Sequence, residues 1–184
     1  MLEEVQSTVL LRCPSCQGII QPTDLCCMIC GKGAEEALSS FFEGALTQGQ
    51  PRQRHVEVTM EFALAALTRA QVEGINTAKI DLVLERARAE QDHGNYDFAF
   101  RFASEAYREI TETIRTHESV MARFQGLLAA LERFPNSSAN FREARWFADM
   151  AEVSILTGDY SEALGHLCKG ASILARKPSI PLTR

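Results

Sequence analysis

Four cysteines near the start of the chain form two close pairs, Cys13 with Cys16 and Cys27 with Cys30. Ten residues separate the pairs, so the full spacing is C-x2-C-x10-C-x2-C. Two tight turns at this spacing can direct four thiolates at one centre, as tetrahedral Zn2+ requires at Zn–S distances of about 2.3 Å. The spacing therefore predicts one structural zinc ion bound by these four cysteines.

The cysteine pattern leaves two alternatives open. Cys26 adjoins Cys27, and its use as a ligand would turn the second pair into C-x3-C. Iron fits four thiolates as well as zinc does, so the metal is not fixed either. A redox dithiol would need a thioredoxin-like βαβ context, which the surrounding sequence lacks. Four sulfur ligands leave zinc no open position for water or substrate, so we expect a structural site.

Residues 9–30 read as a miniature ribbon with a short strand on either side of the first cysteine pair. Such a piece buries too little apolar surface to fold alone, so the metal must supply the missing stability. Glycines at positions 31 and 33 then suggest a hinge. We predict two domains, a zinc ribbon at 1–33 and an all-helical interaction domain at 34–184.

Apolar residues recur at helical spacing over nearly all of the second domain. We predict helices at about 35–47, 55–73, 77–93, 96–134, 140–157 and 161–176. In the second of these, the core stripe is expected at Met60, Leu64, Leu67 and Gln71. Phe98, in the fourth helix, and Cys168, in the last, are both expected in the core. The fold class is thus mostly α, with about six helices after a small β-hairpin.

The fourth helix carries a seam of apolar residues that alternate four and three apart, a period of 3.5 residues. Two neighbouring seam positions, Thr113 and His117, are polar. The segment 96–134 therefore forms either one long helix or two helices with a break between residues 111 and 119. The sequence does not decide between them.

The cysteine region resembles a short prokaryotic zinc-ribbon family with the pattern C-P-x-C-G-x-x-I, then an aromatic residue and C-x-x-C-G. The matching positions are Cys13, Pro14, Cys16, Ile20, Cys27, Cys30 and Gly31. Gln17 replaces the first glycine of the pattern, and Cys26 stands at the aromatic position. This register implies that Cys27 is the ligand. The resemblance implies metal binding and is unspecific for function, because such ribbons occur in proteins of many kinds.

Two helix junctions resemble those of tetratricopeptide repeats. Residues 94–99 and 158–163 both fit G-x-Y-x-x-A, in which glycine ends one helix, the aromatic fills the elbow and alanine allows close approach. The two copies are 64 residues apart, whereas the repeats of that family follow one another every 34 residues or so. The resemblance implies an array of helical hairpins and no regular solenoid.

Charge and hydropathy limit the function classes. The 184 residues carry a net charge of −5, so the basic footprint typical of nucleic-acid binding is missing. No segment approaches the roughly 18 consecutive apolar residues that a membrane helix requires. The acidic N-terminus lacks the features of a secretory signal. We expect a cytoplasmic protein, since thiols stay reduced there and close cysteine pairs more often bind metal.

Motifs for catalysis are missing from the sequence. It has neither a phosphate-binding glycine loop nor a nucleophile elbow, and the E-x-x-H motif of Glu90 and His93 lacks the second copy that a di-iron site needs. We therefore expect a non-enzymatic, zinc-binding adaptor that recognises a protein partner through its ribbon and a helical groove. The alternative is a nucleic-acid-, ribosome- or transcription-associated accessory factor that uses the ribbon for contact. The oligomeric state stays open.

Overall fold

The structure, a computed structural model, describes residues 11–34, 36–40, 52–135 and 138–175. Two short antiparallel strands, β1 (Leu11–Arg12) and β2 (Ile19–Ile20), come first, with Leu11 opposite Ile20. A helical segment at residues 36–40 (α1) follows. The remaining elements are α2 (Arg52–Val72), α3 (Ala78–Asp92), α4 (Tyr96–Leu131), α5 (Ala139–Thr157) and α6 (Tyr160–Ala175). This order confirms the predicted fold class, with six helices after a small N-terminal hairpin.

Some predicted segments lie wholly or partly outside the described residues. The strand expected at residues 9–12 begins before them, and the helix expected at about 35–47 is described only at 36–40. Among the described helices, none is long and apolar enough to cross a membrane.

The chain divides into two compact units, Met1–Glu112 and Thr113–Arg184, and the division falls within α4. The boundary that the sequence suggested, between a ribbon at 1–33 and a helical domain at 34–184, stays a prediction.

In the first unit, α2 is buried around much of its circumference. Its buried apolar residues are Val56, Val58, Met60, Phe62, Ala63, Ala66, Leu67 and Ala70. The Phe62 ring packs edge-on against Tyr107 of α4, with 6.1 Å between the ring centroids. The predicted core stripe covers only one face of α2, whereas the buried residues lie on more than one side of the helix. The prediction is also wrong at Gln71, which is exposed.

Helix α3 has sharp ends that its sequence explains. At its start, the Asn76 side chain accepts a hydrogen bond from the Ala78 amide at 3.2 Å. At its end, His93 is the C-cap residue, and its Nδ1 lies 2.6 Å from the Ala89 carbonyl oxygen. An ion pair between Lys79 and Glu109, at 2.6 Å, joins α3 to α4.

Helix α4 is continuous from Tyr96 to Leu131, which answers the question that the polar seam positions left open. Near the middle, the Thr111 hydroxyl donates to the Tyr107 carbonyl at 2.9 Å, so this polar side chain bonds within the helix. His117 places its Nδ1 3.2 Å from the Tyr160 hydroxyl. Thr111 and His117 therefore have partners that do not interrupt the helix, and the polar seam position Thr113 is half-buried within the continuous helix.

In the second unit, the end of α4 and the α5–α6 hairpin pack around a core rich in alanine. Its buried residues are Val120, Leu127, Leu131, Ala144, Ala148, Ala151, Ala163, Leu167, Ile173 and Leu174. Ser138 is the N-cap of helix α5, and its hydroxyl accepts a hydrogen bond from the Phe141 amide at 3.0 Å. Gly170 is also buried, and a Cβ atom there would lie 2.9 Å from Leu127 Cδ2. The glycine thus lets α6 approach α4 closely.

The predictions of core burial for Cys168 and Phe98 are wrong. Cys168 is exposed, because Leu167 and Gly170 take the inward positions of α6. Phe98 is 54 % exposed, because Ala99 occupies the buried position at the start of α4.

Candidate metal centre

The structure brings the four predicted cysteines together at the N-terminal hairpin. The sulfur atoms of Cys13, Cys16, Cys27 and Cys30 all lie within 4.8 Å of one another. Two contacts run between the pairs, Cys13 to Cys30 at 3.5 Å and Cys16 to Cys27 at 3.4 Å. Around one ion with Zn–S distances of about 2.3 Å, tetrahedral sulfurs would be about 3.8 Å apart. The cluster therefore has the size that one such ion needs.

Each cysteine pair lies in a turn with the same two backbone hydrogen bonds. In the first turn, the Gln17 amide donates to the Cys13 carbonyl at 2.9 Å, and the Cys13 amide donates to the Gly18 carbonyl at 2.8 Å. Gln17 adopts a positive φ of 60°, a conformation that glycine usually supplies. The substitution at this place in the family pattern therefore leaves the turn intact.

The second turn repeats the first with an offset of 14 residues. The Gly31 amide donates to the Cys27 carbonyl at 2.8 Å, and the Cys27 amide donates to the Lys32 carbonyl at 2.7 Å. Gly31 has a φ of 75°. The two turns therefore present their cysteines to the centre in matching geometry.

The cluster contains Cys27 rather than its neighbour Cys26. Cys26 instead forms an isolated antiparallel bridge with Gly33, and the Ala34 amide donates to the Leu25 carbonyl at 3.0 Å. Cys26 is thus held in a backbone bridge, and its sulfur is not part of the cluster. The geometry agrees with the register that the family resemblance implied.

Backbone amides favour the ionised form of the first cysteine in each turn. Hydrogen bonds from the amides of Ser15 and Cys16 lower the pKa of the Cys13 thiol. In the second turn, the amides of Cys30 and Ile29 lower the pKa of the Cys27 thiol to about 7. Both thiols are almost fully buried, so these amides take the place of solvent in stabilising the thiolates.

The second cysteine of each turn is harder to ionise. The Gly18 amide favours the Cys16 thiolate, but the nearby Cys27 sulfur and burial outweigh it and raise the pKa of Cys16 to about 12. The Lys32 amide likewise favours the Cys30 thiolate, yet the Cys13 sulfur and burial raise the pKa of Cys30. Four thiolates at this distance repel one another, and only a cation can hold all four together.

The ribbon also contains buried apolar side chains. Leu11 and Ile20, which pair across β1 and β2, are both buried. Ile29 lies against Gly18, where a Cβ atom would be 2.7 Å from Ile29 Cδ1. Met28 is 82 % exposed and Ile29 74 % exposed. The contact between Ile29 and Gly18 was not predicted. The sequence feature that fits it is the glycine at position 18, directly after Gln17.

The two junctions that resemble tetratricopeptide repeats share one geometry. Gly94 and Gly158 have φ values of 77° and 82°. The next residue in each case, Asn95 or Asp159, donates its amide at 2.8 Å to a carbonyl five residues earlier, which is the Schellman pattern. The alanines that follow, Ala99 and Ala163, are fully buried. Both junctions therefore end one helix and begin the next with the same backbone geometry.

Comparison with known protein families, with curated proteins and with solved structures found no match for this chain.

Proposed function

We propose that this chain is a non-enzymatic adaptor whose N-terminal ribbon is organised by one structural zinc ion. The observation that carries the proposal is the convergence of the sulfurs of Cys13, Cys16, Cys27 and Cys30 from two matching turns. A metal site of four thiolates has no free coordination position for a substrate, so its role is to stabilise the fold and not to catalyse a reaction. The adaptor would recognise a protein partner through the ribbon and the helical part.

Zinc is preferred over iron because the role is structural. Zn2+ has no redox chemistry and no geometric preference beyond the tetrahedron that four thiolates provide. Elemental analysis of the purified protein should find one zinc per chain. A rubredoxin-like iron site would instead give a coloured protein with charge-transfer absorption, and iron at one equivalent would contradict the assignment.

The ribbon offers an apolar surface that the metal would hold in place. Met28 and Ile29 project from the second turn, and Ile19 of β2 is 51 % exposed. Because Met28 and Ile29 stand between two cysteines of the cluster, binding of the ion restrains the backbone that carries them. An exposed apolar patch of this kind is typical of a protein-binding surface.

The first unit also contains a hollow of the kind that accepts a peptide. A cavity of about 460 Å3 is lined by Leu38, Ser39, Thr59, Phe100, Arg101, Ser104, Glu105, Tyr107 and Arg108. Its walls combine aromatic and apolar surface with charges of both signs, which can anchor and orient a peptide segment. We propose this hollow as the helical part of the adaptor surface.

The alternative role in nucleic-acid binding gains little support from the ribbon. Between residues 11 and 34 the only basic residues are Arg12 and Lys32. Lys32 forms an ion pair with Glu36 at 3.2 Å, so part of its charge is balanced. Binding to generic RNA or DNA that weakens steeply as salt rises would favour the alternative; no such binding is expected.

The metal assignment is tested with three substitutions. Cys13→Ser and Cys30→Ser should each abolish stoichiometric zinc, while the helical circular-dichroism signal is kept. Cys26→Ser is the matched control and should retain one zinc, because Cys26 lies outside the cluster. One zinc per chain in the Cys13 and Cys30 variants, or its loss in the Cys26 variant, would refute the assignment.

The adaptor role is tested by cross-linking and mass spectrometry in the native cell. A double variant, Met28→Ala with Ile29→Ala, should keep its zinc and lose the partner that the unaltered chain cross-links. Val72→Ala is the control, because Val72 is 84 % exposed but lies in α2. The same partners in all three proteins would show that the ribbon patch is not the binding surface.

A further inference from the structure

Helix α5 carries an apolar stripe on the side opposite its core face. Trp146 and Val153 are 53 % and 55 % exposed, and Leu156 is 80 % exposed. The opposite face, which includes Ala144 and Ala148, is buried in the second unit. Because seven residues make two helical turns, Trp146 and Val153 lie in one line along the helix. Three large apolar groups on one exposed helix face indicate a surface that binds protein.

The tryptophan of this stripe is suited to anchor a contact. The ring of Trp146 packs edge-on against the ring of Phe147, with 4.8 Å between the centroids. This contact restrains the indole before any partner arrives, so little side-chain entropy is lost on binding. Tryptophan is among the residues that contribute most to protein interfaces. Trp146 is also the only tryptophan of the chain.

The charges beside the stripe indicate which partner fits it. Arg145 and Glu152 are exposed and, being seven residues apart, lie along the same flank of α5. Between them, Asp149 forms an ion pair with Arg145 at 2.9 Å. The flank therefore runs from positive to negative along the helix, in parallel with the line from Trp146 to Val153.

Such a pattern is complementary to itself. A two-fold axis across α5 near Asp149 would set two copies of the helix antiparallel. Trp146 of each copy would then meet Val153 of the other, and Arg145 would meet Glu152 on the same flank. Both pairs have their midpoint within one residue of Asp149, so one symmetry operation satisfies both. The same axis brings the Asp149 carboxylates of the two copies together, and the Arg145 that pairs with each of them at 2.9 Å balances their charge. Antiparallel helix dipoles add a small favourable interaction.

We propose that α5 mediates self-association of this chain as an antiparallel, two-fold symmetric pair. The occupant of the stripe is thus a second copy of the same helix. The inference rests on the second unit alone and goes beyond the zinc-dependent adaptor role of the ribbon.

Dilution of the full, zinc-loaded chain tests the proposal. Sedimentation and light scattering from about 1 µM to about 500 µM should show a monomer converting to a dimer, in the range of transient protein contacts. Over the same range the Trp146 fluorescence maximum should shift to shorter wavelength as the indole leaves water. Trp146→Ala should weaken the dimer at least about tenfold, as expected for an anchor residue. Leu82→Ala is the control: Leu82 is 66 % exposed on α3, so its loss should change nothing.

Charge reversal identifies the symmetry of the contact. Arg145→Glu and Glu152→Arg should each weaken self-association, because like charges then face each other across the axis. An equimolar mixture of the two single variants should restore it, since each copy then supplies the charge that the other lacks. Circular dichroism of each variant checks that the helices are intact.

Three results would overturn the proposal. A chain that stays monomeric throughout the concentration range has no such contact. A dimer that Trp146→Ala leaves unchanged uses another face. Single charge variants whose mixture associates no better than either alone exclude the antiparallel pairing.

Discussion

Gln17 and Gly31 hold the same backbone position in the two cysteine turns, each four residues after the first cysteine of its pair. Their φ values are 60° and 75°, and each donates its amide to that cysteine's carbonyl. The equivalence shows that the second turn repeats the first in backbone geometry, although one position is a glycine and the other is not. Because both turns are needed to bring four sulfurs together, the strain at this position bears directly on metal affinity.

Substitutions of Gln17 by glycine and of Gly31 by alanine should change zinc affinity in opposite directions. A non-glycine residue with left-handed backbone costs about 1 kcal/mol. Gln17→Gly removes that strain and should leave zinc affinity equal or up to about fivefold higher, since glycine entropy offsets part of the gain. Gly31→Ala introduces the strain and should lower the affinity by about fivefold. Its added Cβ meets nothing within 4 Å, so steric clash does not contribute.

Competition with a chromophoric chelator measures both affinities. A weaker site in the Gln17 variant together with a stronger one in the Gly31 variant would contradict the equivalence of the two turns.

Zinc binding should release protons at pH 7. With the turns formed, the pKa values of Cys16 and Cys30 are raised, that of Cys16 to about 12, so both thiols carry protons until a cation binds. Cys27, with a pKa of about 7, is about half ionised. At least two protons should therefore leave when all four thiolates bind the ion, and affinity should fall as pH falls. Calorimetry in buffers of different ionisation enthalpy counts these protons, and a count below two would contradict the four-thiolate site.

Gly170 and Gly165, both in α6, should respond in opposite ways to alanine. At Gly170 the new Cβ would lie 2.9 Å from Leu127 Cδ2 and 3.4 Å from Phe147 Cβ, so the second unit should lose about 1–2 kcal/mol of stability. At Gly165 nothing lies within 4 Å, and alanine should add up to about 1 kcal/mol through its higher helix propensity. Thermal unfolding followed by circular dichroism compares the two, and equal melting temperatures would show that α6 does not approach α4 as described.

Burial of His55 should make stability depend on pH. Desolvation lowers the pKa of this side chain below 6.5 in the folded chain. As pH falls below about 6.5, the unfolded chain therefore binds the proton first, and the free energy of unfolding decreases until the pH passes the lower folded pKa. Above pH 7 both states are neutral and the term vanishes.

The comparison with His55→Leu isolates this term. Denaturant unfolding at pH 8 and pH 5.5 should show a larger loss of stability in the unaltered chain than in the variant. Acid release of the metal affects both proteins alike, so it cancels in the comparison. An equal loss in both would show that His55 does not contribute.

The sequence predicted the local features well because they depend on short-range chemistry. The bounds of α3, α5 and α6 lie within about one residue of those expected, since Gly94, Ser138 and Gly158 mark helix ends by backbone preference or capping. The cysteine spacing likewise predicted that two cysteine pairs meet, and the register of the zinc-ribbon resemblance indicated Cys27 rather than Cys26. These predictions needed no knowledge of which helix packs against which.

Burial was harder to predict because it depends on the neighbours of each helix. Periodicity finds one apolar face, yet α2 is buried on several sides, and Phe62 has Tyr107 as its partner on another helix. In α6 the same periodicity could not distinguish Gly170, which faces the core, from Cys168, which faces outward.

Gly158 reverses the chain between α5 and α6 with almost no connecting loop. Closing so short a connection sacrifices little chain entropy, and a local helical hairpin of this kind forms within microseconds to milliseconds. The cysteine turns, by contrast, must wait for an ion to arrive by diffusion and displace protons. In a newly made chain, the helical hairpin is therefore expected to mature at a rate set by its own residues, and the ribbon at a rate set by the metal supply of the cell.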